Sequence, residues 1–324
     1  MQDKVLLISP EFFYYQIIFK KGIEELGFDC DWFSDRPSSN FATKAALRVM
    51  PFLLRGRSNK YLSDILEQTK DIEYKYIMVV MGEVLTEGFL QKLKEKYPKS
   101  KFIYIFWDAI VNISMGLKFT KYFDKVYTTD RGDSIKYGYN FIPLFYNDYI
   151  DTTPSEIKYD FSFVGTIKNG KNKKLNSLVK ELSKKYNNSI VYKYIQGKSV
   201  LLFYKLKYPR DFKKDSFKNF KFEKMDSKQA IEIFKSSRFI LDVPMNQQKA
   251  LTERCFNAMY LGKKLITTNE DIKNYDFYDK NNIYIYSESE GIDFSLPFFN
   301  TDFKSIENYN KYSLNNWLKQ LLLY

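Results

Sequence analysis

The stretch Ile240–Asn269, ILDVPMNQQKALTERCFNAMYLGKKLITTN, contains the pattern that decides the fold class. The apolar run Phe239–Val243 leads into a polar loop, then into a helical pattern at 250–261, Gly262 and a second apolar run, Lys264–Thr268. Short apolar runs on both sides of a helix predict buried parallel strands, and the glycine predicts the helix C-terminus. The stretch therefore indicates an α/β fold.

The same alternation extends outward from this stretch in both directions. Between the polar segment DTTPS at 151–155 and the quoted stretch, the pattern predicts strands at 161–164 and 189–195 and helices at 173–186 and 227–236. After the stretch, 309–323 has the pattern of a terminal helix. Before the segment, the pattern predicts helices at 15–26 and 90–97 and strands at Lys4–Ser9, Phe28–Phe33, Tyr76–Met81, Phe102–Trp107 and Lys125–Thr128.

Two successive α/β units joined by a polar, proline-containing segment predict two domains. We expect a Rossmann-like domain at 1–150 and a second one at 151–324, with the terminal helix packing back towards the first. Ligands of open parallel sheets bind beyond the carboxyl ends of the strands. The predicted architecture is thus two lobes whose parallel sheets face a central cleft.

The chain of 324 residues contains no histidine and only two cysteines, Cys30 and Cys255. This composition excludes Ser-His-Asp and Cys-His catalysis and His-ligated metal sites. It also excludes a disulfide framework, which favours a reducing compartment. An acid or base must therefore be Asp, Glu, Lys, Tyr or Cys.

The N-terminal residues have the features of neither a signal peptide nor an anchor, and no apolar run is long enough to span a bilayer. We therefore expect a cytoplasmic protein.

Most of the net charge of +12 lies in the second half of the chain. Residues 1–150 carry 21 Lys/Arg and 19 Asp/Glu, whereas residues 151–324 carry 30 and 20. A basic surface of this kind suits a phosphate-rich partner, such as a nucleotide-linked substrate, an anionic membrane or a nucleic acid. The alternative is a solvated, lysine-rich surface without a specific partner.

The start of the helix predicted at 250–261 is a candidate anion site. Free backbone N–H groups near Thr252 and the helix dipole favour a phosphate there, and Arg254 in the first turn adds a charged donor. Glu253 and Asn257 are four residues apart and share a helix face, where a ribose diol requires an acceptor. The alternative is an amphipathic helix with a threonine cap and a surface Glu–Arg pair.

Together with motifs spread along the chain, this segment resembles the donor-binding segment of GT-B glycosyltransferases, and most closely the CgeB-like and lipopolysaccharide/capsule biosynthesis group. The motifs follow one another in order and cover nearly the whole chain: FSDRPSSN (33–40), GE (82–83), FWD (106–108), YFDKVY (122–127), PLFY (143–146), YDFSFVGT (159–166), KKLITTN (263–269), NYDFY (274–278) and YSLxxWL (312–318).

The resemblance implies a nucleotide-sugar donor, UDP- or GDP-linked, in the second lobe and a glycan or lipid-linked glycan acceptor on the first. It implies chemistry without an obligatory metal or a separate cofactor. The family often has a glutamate that binds the donor ribose where Asn257 stands, and the wider superfamily commonly has a partner glutamate where Lys249 stands. An amide can still hydrogen-bond a diol, and Glu253 is a substitute acceptor.

Gly165 and Thr166 follow a strand and precede the basic loop Lys168–Lys174. Glycine allows the backbone to approach a ligand closely, and lysines such as Lys168 can bind a diphosphate. GT-B relatives use this loop near the donor. The alternative is a tight turn with solvated lysines.

In the first lobe, Glu83 and Asp108 each follow a predicted strand. Transfer with inversion needs a general base near the acceptor hydroxyl, and without histidine a carboxylate is the natural choice. We favour Asp108 over Glu83, although both have structural alternatives as a helix cap and a loop residue. Arg36 in the motif Asp35-Arg36-Pro37-Ser38 either binds a phosphate or fixes a loop by pairing with Asp35.

The segment Ser199–Lys214, SVLLFYKLKYPRDFKK, mixes apolar and basic residues. It either lies on the anionic inner face of the cell membrane, or forms a partly buried helix that ends near Pro209.

The sequence supports a metal-independent glycosyltransferase of surface polysaccharide synthesis. Two alternatives stay open: a catalytically impaired partner subunit with the same fold, which Asn257 suggests, and a basic nucleic-acid-binding protein, for which the sequence contains no recognised motif.

Overall fold

The computed structural model describes residues 2–11, 14–38, 55–168, 170–245 and 249–324. Position 169 of the basic loop, positions 246–248 of the loop after Val243 and the last two residues of the FSDRPSSN motif lie outside these ranges.

Contacts divide the chain into two compact units. The first contains Met1–Pro143 together with Ser313–Tyr324, and the second contains Leu144–Tyr312. The boundary between the two units thus lies between residues 143 and 144, whereas the sequence predicted a domain boundary after residue 150. The residues in between pack within the second unit, because the ring of Tyr146 stacks on that of Tyr260 at a centroid distance of 3.9 Å.

The first unit is built on a six-stranded parallel sheet with the strand order β2-β1-β3-β4-β5-β6. The chain order reverses between β1 and β3, as in doubly wound folds. The strands are β1 (Lys4–Ser9), β2 (Asp29–Ser34), β3 (Tyr76–Val80), β4 (Lys101–Phe106), β5 (Lys125–Thr128) and β6 (Asn140–Phe141). The helices are α1 (Tyr15–Glu25), α2 (Arg55–Gln68), α3 (Glu87–Lys96) and α4 (Arg131–Tyr137), with 3-10 turns at Ile110–Asn112 and Ser114–Tyr122.

The second unit has a five-stranded parallel sheet with the order β11-β10-β9-β7-β8, so its reversal lies between β7 and β9. The strands are β7 (Tyr159–Thr166), β8 (Ser189–Tyr194), β9 (Ser237–Asp242), β10 (Lys264–Thr267) and β11 (Ile283–Ile285). The helices are α5 (Asn172–Leu182), α6 (Lys198–Lys207), α7 (Pro209–Phe212), α8 (Ser227–Lys235), α9 (Glu253–Tyr260) and α10 (Pro297–Asn300). Three 3-10 turns lie at Phe217–Asn219, Glu270–Asn274 and Tyr309–Tyr312.

Each sheet is buried by helices, which explains why its strands are continuous apolar runs. In β1 the side chains of Val5, Leu6 and Leu7 are fully buried, and in β9 those of Phe239, Ile240 and Leu241 are fully buried. The α/β class with two Rossmann-like units is therefore confirmed.

The prediction of one continuous terminal helix at 309–323 is wrong in one respect. The chain forms a 3-10 turn, Tyr309–Tyr312, and then α11 (Leu314–Leu322). The break occurs at Ser313, whose side chain accepts a hydrogen bond from the backbone N–H of Asn316 (3.1 Å) and so caps the new helix.

Helix α11 packs on α1 of the first unit. Trp317 is 2% exposed, and its ring stacks on Phe19 at 5.6 Å and meets Trp107 edge-on at 5.9 Å. The chain therefore leaves the first unit after Pro143 and returns to complete it after the second unit is finished.

Candidate functional site

The residues predicted to bind a donor lie at the reversal point of the second sheet. Gly165 and Thr166 end β7, and Asp242 ends the neighbouring strand β9. Parallel strands bring their carboxyl ends to one edge, and the reversal point leaves a crevice there. The loop after Asp242 leads to α9, so the candidate helix N-terminus lies at the same edge.

Asp242 organises this edge, although the sequence did not single it out. Its fully buried carboxylate accepts hydrogen bonds from the hydroxyl of Thr252 (2.7 Å), the guanidinium of Arg254 (2.6 Å) and the hydroxyl of Thr267 (3.2 Å). These bonds join the end of β9 to the start of α9 and to β10. The sequence did contain a signal for this role: an acidic residue at the end of an otherwise apolar strand is buried, and a buried carboxylate requires hydrogen-bonding or charged partners.

Arg254 is held in place by three contacts. Besides its ion pair with Asp242, its Nη2 donates to the carbonyl of Val164 (2.8 Å), and its guanidinium lies over the ring of Phe163 at 5.1 Å. Gly165 makes this arrangement possible, because a Cβ at this position would lie 2.8 Å from Nη2 of Arg254. The missing Cβ of the glycine at the end of β7 thus leaves room for the arginine in this position.

Lys171 is a second cation at this edge. Its side chain is buried, with 8% exposed. Its ammonium lies 5.1 Å from the centroid of the Phe163 ring, the same ring that the Arg254 guanidinium contacts. In the described ranges this ammonium makes no hydrogen bond or ion pair. The pKa of Lys171 is lowered to about 7, mainly by burial and also by the positive charges of Arg254 and Lys168, while the negative charge of Asp242 acts to raise it. A buried lysine without an anionic partner is the arrangement that a bound anion stabilises.

The loop that carries Lys171 is fixed by Asp211 of α7. The carboxylate of Asp211 accepts hydrogen bonds from the backbone N–H groups of Gly170 (2.7 Å) and Lys173 (2.5 Å). Asn172 donates to the carbonyl of Asp211 (2.7 Å) and to the carboxylate of Asp215 (2.8 Å). Because a protein carboxylate already binds the first amides of α5, the N-terminus of α5 is not the anion site.

The N-terminus of α9 differs in this respect. Thr252 is its N-cap residue, yet the threonine hydroxyl donates to Asp242 and makes no capping bond to the helix amides. The alternative of a threonine-capped helix is therefore wrong for this side chain. Its first turn presents the helix dipole to an anion next to Arg254.

Asn257 and Glu253 contact each other on α9. The Asn257 side chain is 5% exposed; its amide oxygen accepts from the backbone N–H of Asn147 (3.3 Å), and its amide nitrogen donates to the Glu253 carboxylate (3.2 Å). The amide of Asn257 is thus used internally, and it orients the half-buried Glu253 carboxylate. A neutral donor at 257 is suited to this role, since a second carboxylate would repel Glu253.

We expect Asn257→Glu to lower the free energy of unfolding by about 1–3 kcal/mol, because a buried donor is replaced by a like charge. Urea unfolding of the variant measures this loss. A matched exchange tests its cause: in the double variant Glu253→Gln/Asn257→Glu the amide and the carboxylate trade places, and most of the loss should be recovered. Equal losses in the single and double variants would show that the contact between 253 and 257 is unimportant.

The remaining predicted residues of this loop lie nearby. Thr166 pairs with Tyr194 in the β7–β8 register and is half-buried. The backbone carbonyl of Lys168 accepts from the N–H of Lys171 (3.2 Å), and the charge of Lys168 contributes to the lowered pKa of Lys171.

In the first unit, Asp108 lies just after β4. Its half-buried carboxylate accepts hydrogen bonds from the N–H of Ala109 (2.9 Å) and the side chain of Asn112 (3.2 Å). The neighbouring turn is held by Asp133, which accepts from the N–H of Ile110 (2.7 Å). Burial raises the pKa of Asp133, and the charges of Asp130 and Asp108 add to the effect, so the three carboxylates lie near one another.

Glu83 lies in a different cluster. Arg36 is 7% exposed, donates to both carboxylate oxygens of Asp35 (2.7 and 3.2 Å) and pairs with Glu83 at 2.6 Å. The Arg36–Asp35 pair therefore fixes the loop after β2, one of the two roles predicted for it. Because Glu83 is occupied by this ion pair, the geometry favours Asp108 over Glu83 as a proton acceptor.

The described surface also contains an open depression of about 380 Å³ in the first unit, beside the edge strand β2. It contains none of the predicted site residues. Among the described residues, no group of three or more His, Cys, Asp or Glu is arranged to hold a metal ion. None of the helices in the described ranges combines the length and apolar composition needed to cross a membrane.

No protein family model matches the chain, and no curated protein matches its sequence. Among solved structures, sucrose-phosphate synthase from Thermosynechococcus elongatus aligns with a TM-score of 0.58 at 10% identity, over 99% of this chain and 90% of that one. The fold is GT-B. The lipopolysaccharide outer core galactosyltransferase WaaB aligns with a TM-score of 0.50 at 13% identity, over 88% of this chain and 86% of that one.

Anabaena HepE, solved in complex with UDP-glucose, also aligns with a TM-score of 0.50, at 11% identity over 88% of this chain and 85% of that one. At such identities the GT-B fold is shared while the side chains differ. Activity must therefore be argued from the site residues themselves.

Proposed function

We propose that the chain is a glycosyltransferase that moves a sugar from a nucleotide-sugar donor to a growing surface glycan. The observation that carries the proposal is Lys171, beside Arg254 at the reversal point of the second sheet. Its ammonium is buried and makes no hydrogen bond or ion pair with any residue in the described ranges. A diphosphate supplies the missing negative charge at this place.

In this proposal the second unit binds the donor. The diphosphate lies between the turn at Gly165 and the first turn of α9, and contacts Lys171, Arg254 and the N-terminus of the helix. The ribose diol donates to Glu253, which Asn257 orients. The donor is UDP- or GDP-linked. Two side-chain cations and a helix dipole balance the diphosphate charge, so we propose a reaction that does not depend on a metal.

We assign the general base to Asp108 of the first unit. The acceptor oxygen attacks the anomeric carbon, the bond from that carbon to the diphosphate oxygen breaks, and the hydroxyl proton moves to the carboxylate. The sugar is transferred with inversion, and the nucleoside diphosphate leaves with the electron pair of the broken bond.

For the acceptor we propose a lipooligosaccharide, lipopolysaccharide or capsule precursor made at the inner face of the cell membrane. Two observations support this choice. WaaB, which shares the fold, acts in the lipopolysaccharide outer core. In addition, Val111 and Met115, in the turns just after Asp108, are apolar yet 70% and 65% exposed, which suits an acceptor with a lipid portion.

A screen of sugar nucleotides for slow hydrolysis, together with thermal shifts by nucleoside diphosphates, tests the proposal. We expect at least one donor to be hydrolysed and its diphosphate product to stabilise the protein. With that donor, Asp108→Asn should lower transfer about 10²–10⁴-fold while nucleotide binding stays unchanged, because the amide oxygen can still accept the loop hydrogen bonds. Asp71→Asn, on the exposed surface of the same unit, is the matched control.

Absence of both hydrolysis and stabilisation with every nucleotide would contradict the proposal. Stabilisation without turnover of any donor would instead favour the catalytically impaired partner subunit.

A further inference from the structure

Helix α6 exposes a row of large apolar side chains. Leu202, Phe203 and Leu206 are 52%, 51% and 75% exposed, whereas Leu201 on the opposite face is fully buried in the core of the second unit. Residues three and four apart share a helix face, so the three side chains form one continuous apolar stripe. In the described part of the chain nothing packs over this stripe to shield it from solvent.

Basic side chains border the stripe. On the helix, Lys198 and Lys207 lie on its two sides, and the ammonium of Lys207 lies 5.3 Å from the ring centroid of Phe203. The chain then continues with further exposed bases. The exposed basic residues from 198 to 218 are Lys198, Lys207, Arg210, Lys213, Lys214 and Lys218.

The two acids of this segment do not offset that charge, because both are turned inward. Asp211 binds the backbone amides of the loop at Gly170 and Lys173. Asp215 is 9% exposed and accepts from Asn172 (2.8 Å) and Asn176 (2.9 Å). The outer face of 198–218 is thus apolar and basic, with its carboxylates on the inner face.

We propose that the outer face of residues 198–218 binds an anionic lipid bilayer, with Leu202, Phe203 and Leu206 inserted among the lipids and the bordering bases on the headgroups. An apolar stripe between rows of cations matches the charge and polarity of such an interface. Of the four large apolar side chains exposed in 198–218, the most exposed, Leu206, and also Leu202 are aliphatic, while Phe203 and Phe217 are aromatic. A stripe in which aliphatic side chains are the most exposed favours lipid over nucleic acid, where bases stack on aromatic rings. This inference does not depend on the proposed function, since it needs neither donor nor turnover.

Cosedimentation of the full chain with vesicles tests the inference. We expect binding to phosphatidylcholine vesicles that contain phosphatidylglycerol, little binding to phosphatidylcholine alone, and weaker binding at high salt. The triple variant Leu202→Ser/Phe203→Ser/Leu206→Ser should lower the partition coefficient by about tenfold or more. Ile135→Ser, which removes a side chain that is 81% exposed in the first unit, is the matched control and should bind normally.

A second variant, Lys207→Gln/Lys213→Gln/Lys214→Gln, leaves the apolar stripe intact and should weaken the preference for anionic vesicles. Equal binding of the wild type and both variants would overturn the proposal, as would equal binding to neutral vesicles. Binding to an oligonucleotide but not to vesicles would assign the face to nucleic acid. A dimer in solution that only the serine variant disrupts would assign it to a second copy of the chain.

Discussion

We expect Asp242→Asn to lower the free energy of unfolding of the second unit by about 3–5 kcal/mol. The substitution replaces a fully buried carboxylate that accepts from Thr252, Arg254 and Thr267 by an amide of the same size. The guanidinium of Arg254 then loses its counter-charge while it stays near the ammonium of Lys171. Because a domain is stabilised by only about 5–15 kcal/mol, a loss of this size is a large fraction of the total.

The distribution of tryptophan gives a way to locate this effect. All three tryptophans, Trp32, Trp107 and Trp317, belong to the first unit. Their fluorescence therefore follows that unit during urea unfolding, whereas far-UV circular dichroism follows both. We expect Asp242→Asn to move the dichroism transition to lower urea, with a smaller change in the fluorescence transition.

The double variant Asp242→Asn/Arg254→Met is the control for the cause. It removes the charge that the single variant leaves uncompensated, so it should recover about 2 kcal/mol of the loss. A single variant within about 1 kcal/mol of the wild type would show that the pair is not essential to this edge of the sheet.

The second large effect concerns Lys171→Met. We expect nucleoside diphosphate affinity to fall about 10–100-fold, because a charge-assisted contact to the phosphate contributes about 1.5–3 kcal/mol. Folding should be unharmed or improved, since the variant removes a buried ammonium that makes no ion pair with the described residues. Calorimetric titration and urea unfolding measure the two quantities. The matched control is Lys174→Met, which changes an exposed lysine three residues away and should alter neither.

The pKa of Lys171, lowered to about 7, sets the sign of two pH dependences. Unfolded chains keep this lysine protonated up to about 10.5, so between pH 7 and 10.5 the unfolded state binds more protons and stability rises with pH. Binding of a sugar nucleotide has the opposite slope, because above pH 7 the lysine must gain a proton to contact the phosphate. Both slopes should vanish in Lys171→Met. Unchanged slopes would mean that another group is responsible.

Most strands could be predicted closely from the sequence because buried parallel strands are short, continuous apolar runs. The two short edge strands β6 and β11 were missed. Lys4–Ser9 and Lys125–Thr128 have the predicted bounds. Helix α2 was missed, since its sequence RGRSNKYLSDILEQ has few apolar residues and only Ser58, Leu62 and Ile65 are buried. Its position depends on tertiary packing rather than on a strong local pattern.

The location of the candidate site followed from the order of strand, turn and helix, but its internal contacts did not. Asp242 and Arg254 are separated by a loop and meet only when α9 folds back onto the sheet. Lys171 is one of several lysines in a basic loop, and its burial depends on the bonds that Asp211 makes to that loop. Local sequence periodicity cannot predict contacts between residues so far apart in the chain. The acidic residue at the end of β9 was the one indication of them in the sequence.

The return of α11 to the first unit has a consequence for how the protein is made. During synthesis on the ribosome, Phe19 and Trp107 emerge long before Trp317, which covers them. The first unit therefore stays incomplete until the intervening 169 residues, Leu144–Tyr312, have been translated. During that time its apolar surface is accessible to chaperones and to other nascent chains. A fragment that stops at Pro143 would keep that surface open permanently and should aggregate unless residues 313–324 are attached to it.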